Sequence, residues 1–312
     1  MHHIVSATDL ATDDVRRVFA RANRYSEASR QSYDTLRGKI VAHAFEEPST
    51  RTWTSFIAAT LRLGGDVVPI PDASVFSSFA KGESHEDTAR ILSANCDLIV
   101  MRLKESGAAA RFAKASLVPF INAGDGENEH PTQALLDLFT IWEAKKARQM
   151  PEKPLNILFF GDNAKSRTVR SLALLLARDA AAVGIEIDRV SFGGVNGHGT
   201  PPRDVLATLS SSPGIRHASN IAPGFGDVDI MYLTRTQKER YGEGELEGDR
   251  PFVFRKEHAW MMPQHGIIMH PLPRAGELSP EVDTDPRAWY FKQASNGLYI
   301  RMALLELLLG VF

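Results

Sequence analysis

Residues 49–52, a run of serine, threonine, arginine and threonine, are of the types that bind anions. They follow an apolar run at 39–45 that predicts a buried strand, and they precede residues 53–63, whose apolar side chains recur at helical spacing. The first turn of a helix offers unused N–H groups and a partial positive charge, and arginine adds a two-pronged donor for phosphate or carboxylate. Taken alone, such a serine or threonine is more often a simple N-cap.

Other polar side chains also follow predicted strands. Apolar runs at 97–101, 118–124, 155–160, 228–233 and 265–269 come shortly before Arg102, His130, Asp162, Arg235 and His270 respectively. Because the carboxyl ends of parallel strands share one edge of a sheet, ligands bind there in α/β folds. The pattern therefore predicts a cleft for a small anionic substrate between two α/β halves.

The elements that must position these residues alternate between strand and helix. Helical patterns cover 7–29, 85–93, 131–147 and 293–309, and further strands are predicted at 66–70 and 189–193. Polar loops are predicted at 72–83 and 236–250, and a charged, proline-containing segment at 145–154 is a plausible linker or domain edge. Strands alternating with helices predict parallel sheets built from βαβ units.

The composition of the 312-residue chain is that of an ordinary globular protein, with 43% hydrophobic and 24% charged residues. A formal net charge of −2 gives no basic field for nucleic acid. A single cysteine, Cys96, excludes an internal disulfide and a cysteine-based zinc site. The sequence shows no signal peptide and no membrane-length apolar run, so we expect a cytoplasmic protein without a membrane partner.

Several motifs resemble the aspartate/ornithine carbamoyltransferase family. Residues 48–52 are similar to its carbamoyl-phosphate signature, and residues 130–137 to its second signature. Residues 234–240, 270–274 and 289–297 are similar to the aspartate branch, since the ornithine branch would carry a cysteine after His270. The resemblance covers nearly the whole chain, with the motifs in the family's order.

This resemblance implies an α/β fold of two Rossmann-like domains, each a parallel sheet flanked by helices, with the active site in the cleft between them. Residues 1–134, with the C-terminal helix 293–312, would bind carbamoyl phosphate, and residues 135–292 would bind aspartate. The implied reaction transfers a carbamoyl group to the α-amine of L-aspartate, an early step of pyrimidine synthesis. No metal or organic cofactor is implied.

The resemblance also assigns the carbamoyl-phosphate ligands. His130 would donate to the carbamoyl oxygen and stabilise the developing oxyanion, while Gln133 and the backbone carbonyl of Leu272 would contact the carbamoyl amide. The other ligands would be Ser49, Thr50, Arg51, Thr52, Ser77, Lys81 and Arg102. The catalytic residues among them would be Arg51, Thr52, Lys81, Arg102 and His130.

Aspartate needs two carboxylate receptors, which Arg167 and Arg235 with Gln237 would supply by guanidinium fork geometry. No carboxylate base is evident, and in the family the leaving phosphate can take the amine proton. Glu47, Arg167 and Arg240 match a trio whose ion pairs hold the domains closed.

Lys81 and Ser77 match family residues that reach into a neighbouring subunit's site, which implies a homotrimer with shared active sites. Without the family, residues 80–83 read as an ordinary solvated turn. Regulatory or other partner chains are possible and are not determined by the sequence.

The chain departs from the signature at Trp53 and Ile57, where the family carries arginine and glutamate. The two positions are four apart on one helix, so they are neighbours on its surface. Joint replacement of an ion pair by an apolar pair leaves no buried charge unpaired and favours a structural change. Altered acceptor specificity is the alternative, because Trp53 lies beside the phosphate ligands.

Two alternatives to carbamoylation of aspartate stay open. The chain could carbamoylate another amine in a specialised pathway, or it could be a non-catalytic member that binds without turnover. A generic nucleotide-binding Rossmann protein is disfavoured, because no Gly-x-Gly-x-x-Gly follows a strand.

Overall fold

The computed structural model describes residues 3–28, 31–76, 81–194, 197–221, 224–242, 246 and 252–312. The chain divides into two compact units: unit 1 is Met1–Leu136 with Ser295–Phe312, and unit 2 is Asp137–Ala294. Each predicted domain boundary lies two residues from the corresponding observed one. Among the described residues, no helix is long and apolar enough to cross a membrane.

Unit 1 contains a parallel sheet with strand order β2-β1-β3-β4. The strands are β1 Ile40–Phe45, β2 Asp66–Ile70, β3 Leu98–Leu103 and β4 Phe120–Asp125. The central strands β1 and β3 are almost continuously buried, as expected when both faces of a parallel sheet are covered, whereas the edge strand β2 is largely exposed.

The helices of unit 1 cover that sheet. They are α1 Thr12–Ala28, α2 Thr50–Arg62, α3 Ala73–Phe76, α4 His85–Asn95 and α5 Ala108–Ala115. Two longer helices, α6 Pro131–Ala147 and α10 Tyr290–Leu308, each run from one unit into the other. Helix α2 buries Thr52, Phe56, Ala59 and Thr60, a helically spaced stripe that packs toward the core.

Unit 2 contains a second parallel sheet, with strand order β7-β6-β5-β8-β9. Its strands are β5 Leu155–Phe160, β6 Ile187–Gly193, β7 Arg216–Ile221, β8 Ile230–Leu233 and β9 Ile267–Met269. Its other helices are α7 Arg167–Asp179, α8 Arg203–Ser210 and α9 Lys256–Met261, with short 3-10 turns at Ala181–Val183, Lys238–Arg240 and Pro280–Thr284. Two parallel sheets flanked by helices confirm the predicted fold class.

The structure corrects the sequence prediction at several elements. The predicted loop at 72–83 contains the helix α3, and Arg102 lies inside β3 rather than after it. Strand β7 and helices α5, α8 and α9 are absent from the prediction. The charged segment 145–154 connects α6 to β5 and lies within unit 2.

Candidate active site

The predicted anion-binding run occupies the first turn of α2, directly after β1. Ser49 is the residue before the helix, and within the described residues its side chain makes no capping hydrogen bond. The simple N-cap interpretation of this serine is therefore wrong. Arg51 is exposed and Thr52 is buried, so the turn presents a guanidinium outward while the next residue anchors it to the core.

Hydroxyl groups tie the first turns of α2 together. The Oγ1 of Thr54 donates to the carbonyl of Thr50 at 2.7 Å, and the Oγ of Ser55 donates to the carbonyl of Arg51 at 2.6 Å. These side-chain bonds link residues 54 and 55 to the backbone of the first turn of α2.

Arg102 lies at the same edge of the sheet as this turn. Strand β3 pairs with β1 in a register that sets Arg102 opposite Phe45, four residues before Ser49. Its side chain is mostly buried and donates from Nε to Glu47 at 3.2 Å. Arg102, near the end of β3, and the hydroxyl-rich turn after β1 thus lie at the same edge of two neighbouring parallel strands.

His130 precedes α6 and is 4% exposed. Its carbonyl accepts from the N–H groups of Gln133 and Ala134 at 3.0 and 3.1 Å, so it begins the helix. The buried Glu129 just before it accepts from the hydroxyl of Ser6 at 2.7 Å and from the Ala7 N–H at 2.9 Å. Sequence reasoning missed Glu129, whose only signal is its position next to the histidine.

Strand β4 completes this edge of unit 1. It pairs with β3 so that Leu103 lies opposite Asp125, the last residue of β4. The N–H of Glu129 donates to Asp125 at 3.1 Å, which links the end of β4 to the residue before His130. Unit 1 therefore brings the anion-binding turn, Arg102 and His130 to the carboxyl ends of neighbouring strands.

The corresponding region of unit 2 is organised around Asp162, which follows β5 and is 1% exposed. Its Oδ1 accepts from the Lys165 N–H at 3.1 Å and from the Tyr241 hydroxyl at 2.9 Å. Its Oδ2 accepts from the Gln237 N–H at 2.9 Å. One buried carboxylate thus joins the segment before α7 to the segment after β8.

Those two segments carry the predicted aspartate receptors. Arg167 is the first residue of α7 and is buried, while Ser166 caps the helix by accepting from the Val169 N–H. Arg235 is half-buried, and its carbonyl accepts from the Gln237 side chain at 3.3 Å. The Asp162 bonds therefore determine the backbone positions from which these side chains project.

Gly161 makes the turn into Asp162 possible. Its φ is +130°, and a Cβ at this position would lie 2.2 Å from the carbonyl oxygen of Thr234. Any larger residue would push the end of β8 away, so glycine is required by the close approach of the two strand ends.

The loop after β9 presents Leu272 with a φ of +54°, in the left-handed region that a leucine rarely adopts. The Leu272 N–H donates to Nδ1 of His270 at 2.8 Å, and Nε2 of His270 lies 2.7 Å from Glu277. Burial raises the pKa of Glu277, but its bonds with His270 and the loop backbone outweigh this and hold that pKa below its usual value. Both ring nitrogens of His270 thus organise the loop, whereas the sequence alone suggested a role toward substrate.

The remaining predicted site residues are Lys81, Ser77, Arg240 and Glu47. Lys81 is exposed, and Ser77 lies outside the described residues. Arg240 donates to the carbonyl of Lys165 at 2.5 Å within unit 2, and Glu47 bonds Arg102 within unit 1. The structure brings Arg240 close to the Asp162 cluster through the adjacent Tyr241.

Trp53 is partly buried and packs against the core of unit 1. Its ring meets Phe45 edge-on at 4.9 Å between centroids and His43 at 6.5 Å. Burial lowers the pKa of His43 to about 3, so this histidine is neutral. The contacts support the structural interpretation of Trp53.

Two α/β units, each with arginines and polar groups at the carboxyl ends of its strands, define a two-domain α/β protein. Both halves match family models: residues 2–143 match the carbamoyl-P binding domain, and residues 153–308 the Asp/Orn binding domain, of aspartate/ornithine carbamoyltransferase. The chain therefore belongs to the aspartate/ornithine carbamoyltransferase family, as its motifs indicated.

Known relatives agree with this assignment. The chloroplastic aspartate carbamoyltransferase of Oryza sativa subsp. japonica is 42% identical, covering 98% of this chain and 84% of the relative. The aspartate carbamoyltransferase catalytic subunit of Methanococcus maripaludis is 38% identical, covering 99% and 98%.

Solved structures show the same fold. The catalytic subunit of M. Jannaschii aspartate transcarbamoylase aligns over 99% of this chain and 98% of its own, with 37% identity and a TM-score of 0.84. The Trypanosoma cruzi enzyme, solved in complex with carbamoyl phosphate and aspartate, aligns over 97% and 95%, with 33% identity and a TM-score of 0.85.

Proposed function

We propose that this chain transfers the carbamoyl group of carbamoyl phosphate to the α-amine of L-aspartate, giving N-carbamoyl-L-aspartate and phosphate. The observation that carries the proposal is the shared edge of unit 1, where the first turn of α2, Arg102 and His130 lie at the carboxyl ends of neighbouring strands. The relatives named aspartate carbamoyltransferase support the acceptor. The product belongs to pyrimidine synthesis.

The first turn of α2 binds the phosphate. Its N–H groups and the helix dipole favour an anion, and the hydroxyls of Ser49, Thr50 and Thr52 with the Arg51 guanidinium add donors. Arg102 contributes positive charge between phosphate and carbonyl. These groups neutralise the dianion and hold it in one orientation.

The carbonyl carbon is the electrophile that the aspartate amine attacks. As the C–N bond forms, negative charge develops on the carbonyl oxygen, and His130 donates a hydrogen bond to it. Gln133, one helical turn away, and the Leu272 carbonyl bind the carbamoyl nitrogen. Collapse of the tetrahedral intermediate breaks the C–O bond and releases phosphate, which accepts the amine proton, so no protein carboxylate is needed as base.

The acceptor is bound by unit 2. Arg167 and Arg235 offer separate guanidinium forks to the two carboxylates of aspartate, and Gln237 adds an amide donor. Two receptors on different elements suit a dicarboxylate, whereas a basic side chain such as that of ornithine would need acidic partners.

A steady-state assay tests the function directly. Carbamoyl phosphate should be consumed with L-aspartate to give carbamoyl-aspartate, while ornithine and a panel of other amino acids should give no comparable turnover. Turnover with another amine but not with aspartate would move the chain to a specialised pathway. Tight carbamoyl-phosphate binding without any turnover would instead identify a non-catalytic member.

We further propose a homotrimer in which Lys81 and Ser77 complete a neighbouring subunit's site. The exposure of Lys81 is consistent with such a contact. Mixing inactive Lys81→Ala and Arg51→Ala proteins should restore partial activity, because some sites then receive both intact residues. No recovery after proven subunit exchange would contradict shared sites.

Three finer points stay proposals. Glu47, Arg167 and Arg240 are candidates for holding a closed state that excludes water. A cytoplasmic location is our expectation, although the plant relatives are named chloroplastic. Binding of regulatory or partner chains to the proposed trimer is the third.

A further inference from the structure

A buried arginine on α10 lies beneath the carbamoyl-phosphate half of the site. Arg301 is 3% exposed and belongs to unit 1. Its Nη1 donates to the Oγ of Ser55 at 2.8 Å, and its Nη2 lies 3.4 Å from the Oγ1 of Thr132. The guanidinium carbon stands 4.9 Å from the centroid of the Phe56 ring. One planar cation therefore contacts two helices, α2 and α6.

The contact with α2 leads to a phosphate ligand. The Ser55 hydroxyl that accepts from Arg301 donates in turn to the Arg51 carbonyl at 2.6 Å. A hydroxyl that accepts from a cation becomes a stronger donor, so the two bonds reinforce each other. Arg301 is thus two hydrogen bonds away from the backbone of Arg51.

The contact with α6 leads to the carbonyl-binding residues. Thr132 lies in the first turn of that helix, two residues after His130 and directly before Gln133. A bond to its hydroxyl restrains the turn from which both side chains project. The same guanidinium therefore restrains the phosphate receptor and the oxyanion donor.

The fold makes room for this side chain. Gly297 lies one turn earlier on α10, and a Cβ there would approach Nη1 of Arg301 to 2.3 Å. The Phe56 ring supplies the opposite face, where a flat guanidinium packs better than an ammonium group. A lysine could not reach both hydroxyls and cover the ring at once.

We infer that Arg301 is a positioning residue, which sets the first turn of α2 relative to the first turn of α6 so that phosphate and carbonyl are bound at the correct separation. This inference rests on the proposed carbamoyl transfer. It assigns Arg301 no contact with substrate: it acts through Ser55 on Arg51 and through Thr132 on His130 and Gln133.

The two contacts can be tested separately. Ser55→Ala should raise the KM for carbamoyl phosphate about tenfold with a smaller change in kcat, because the Arg51 backbone loses its anchor. Thr132→Val, which keeps the side-chain shape, should lower kcat several-fold with little change in that KM. If the role of Arg301 were merely structural, both variants would lower the Tm, and their effects would not divide between KM and kcat.

Arg301→Lys and Arg301→Met should show both defects together. We expect kcat to fall about 10- to 100-fold, as small misplacements of catalytic groups do, and Lys should not rescue it. Adding Ser55→Ala to Arg301→Met should weaken carbamoyl-phosphate binding no further, because both changes remove the same link.

Arg21→Met is the matched control. Arg21 on α1 bonds Glu306 on α10 with its Nε and Nη2 at 2.7 and 2.9 Å. Loss of Arg21 therefore loosens α10 without touching Ser55 or Thr132. This variant should lose thermal stability while kcat and KM stay within about twofold of wild type. Equal kinetic losses in Arg21→Met would overturn the inference, as would wild-type kinetics in both Ser55→Ala and Thr132→Val.

Calorimetric titration with inorganic phosphate separates this inference from the proposed function. Ser55→Ala should bind phosphate about tenfold more weakly than wild type even if the chain turned over a different acceptor. Unchanged phosphate affinity in that variant contradicts the positioning role. Absence of carbamoyl-aspartate formation by the wild type contradicts the proposed function instead.

Discussion

The two units position their predicted site residues in different ways. In unit 1 the donors come from the first turns of two helices, with residues 49–52 at α2 and residues 130–133 at α6. In unit 2 Arg235 and Gln237 lie outside helices and strands, and their segment is joined to the one before Arg167 by the Asp162 carboxylate. The unit 1 donors thus lie at helix starts, whereas two distant segments of unit 2 share one buried carboxylate.

Each unit has a buried charged residue that organises predicted site segments. In unit 1 Arg301 contacts α2 and α6, and in unit 2 Asp162 joins two segments that carry arginines. Asp162 bonds backbone N–H groups and a phenol, so it orders the backbone from which those arginines extend. Changes in unit 1 should therefore act on bond formation and carbamoyl phosphate, and changes in unit 2 on aspartate.

The largest effect should follow from His130→Ala in unit 1. Loss of one oxyanion donor should lower kcat about 100- to 1,000-fold, while carbamoyl-phosphate binding changes far less. Single-turnover kinetics and calorimetric titration measure the two quantities. An unchanged turnover number would remove the oxyanion role of His130.

Asp162→Ala should be next in size and should affect the other substrate. Without the carboxylate, the N–H groups of Lys165 and Gln237 lose their acceptor, and the aspartate receptors lose their fixed positions. We expect the KM for aspartate to rise about 10- to 100-fold, with carbamoyl-phosphate affinity unchanged. A defect confined to carbamoyl phosphate would contradict the separation of roles between the units.

The stabilising contribution of neutral His43 in unit 1 should be lost at a higher pH than that of the Glu277 carboxylate in unit 2. The pKa of His43 is about 3 in the folded chain, against 6.5 as its ordinary value, so the unfolded state binds the extra proton between these pH values. The His43 contribution is then lost as pH falls below 6.5, by about 2 kcal/mol at pH 5, while the raised pKa of His85 in the same unit acts in the opposite direction. The lowered pKa of Glu277 in unit 2 contributes stability that is lost only below its ordinary value of 4.5.

Hydrogen exchange followed by mass spectrometry at pH 7 and pH 5 measures this difference for each unit. His43→Gln should reduce the change in hydrogen exchange of unit 1 between pH 7 and pH 5. The change in unit 2 should stay the same. If unit 2 opened first on acidification, the neutral histidine would not be the acid-sensitive group.

The smallest effect should come from Trp53→Phe. The smaller ring keeps an apolar contact with Phe45 and should cost about 1 kcal/mol of stability. The preference for aspartate over other amines should not change, because the Trp53 ring packs against the core. A broadened acceptor range in the same substrate panel would revive the specificity interpretation.

The half-site in unit 1 was largely predictable because its signals are local. An apolar strand followed at once by hydroxyls, an arginine and a helical pattern identifies residues 49–52 without any tertiary information. His130 and Gln133 likewise stand together at a helix start. Arg301 was not predictable, because a buried arginine has the same sequence signal as an arginine on the exposed face of α10.

The half-site in unit 2 was less predictable because its partners are distant in sequence. Asp162 bonds the N–H of Gln237, 75 positions away, and the hydroxyl of Tyr241, 79 positions away. The edge strand β7 was missed for a related reason: its composition is mostly polar, so it lacks an apolar run. By contrast, the missed helix α5 is rich in alanine, the residue with the highest helix propensity.

Gly297 has a consequence for engineering this fold. Replacing a glycine inside a helix by alanine is a standard stabilising change, worth roughly 1 kcal/mol. At this position the added methyl group would occupy the space of the Arg301 guanidinium. Protein engineers who select for heat resistance should therefore keep both Gly297 and Arg301. Gly297→Ala would raise the helix propensity of α10 but displace the arginine side chain.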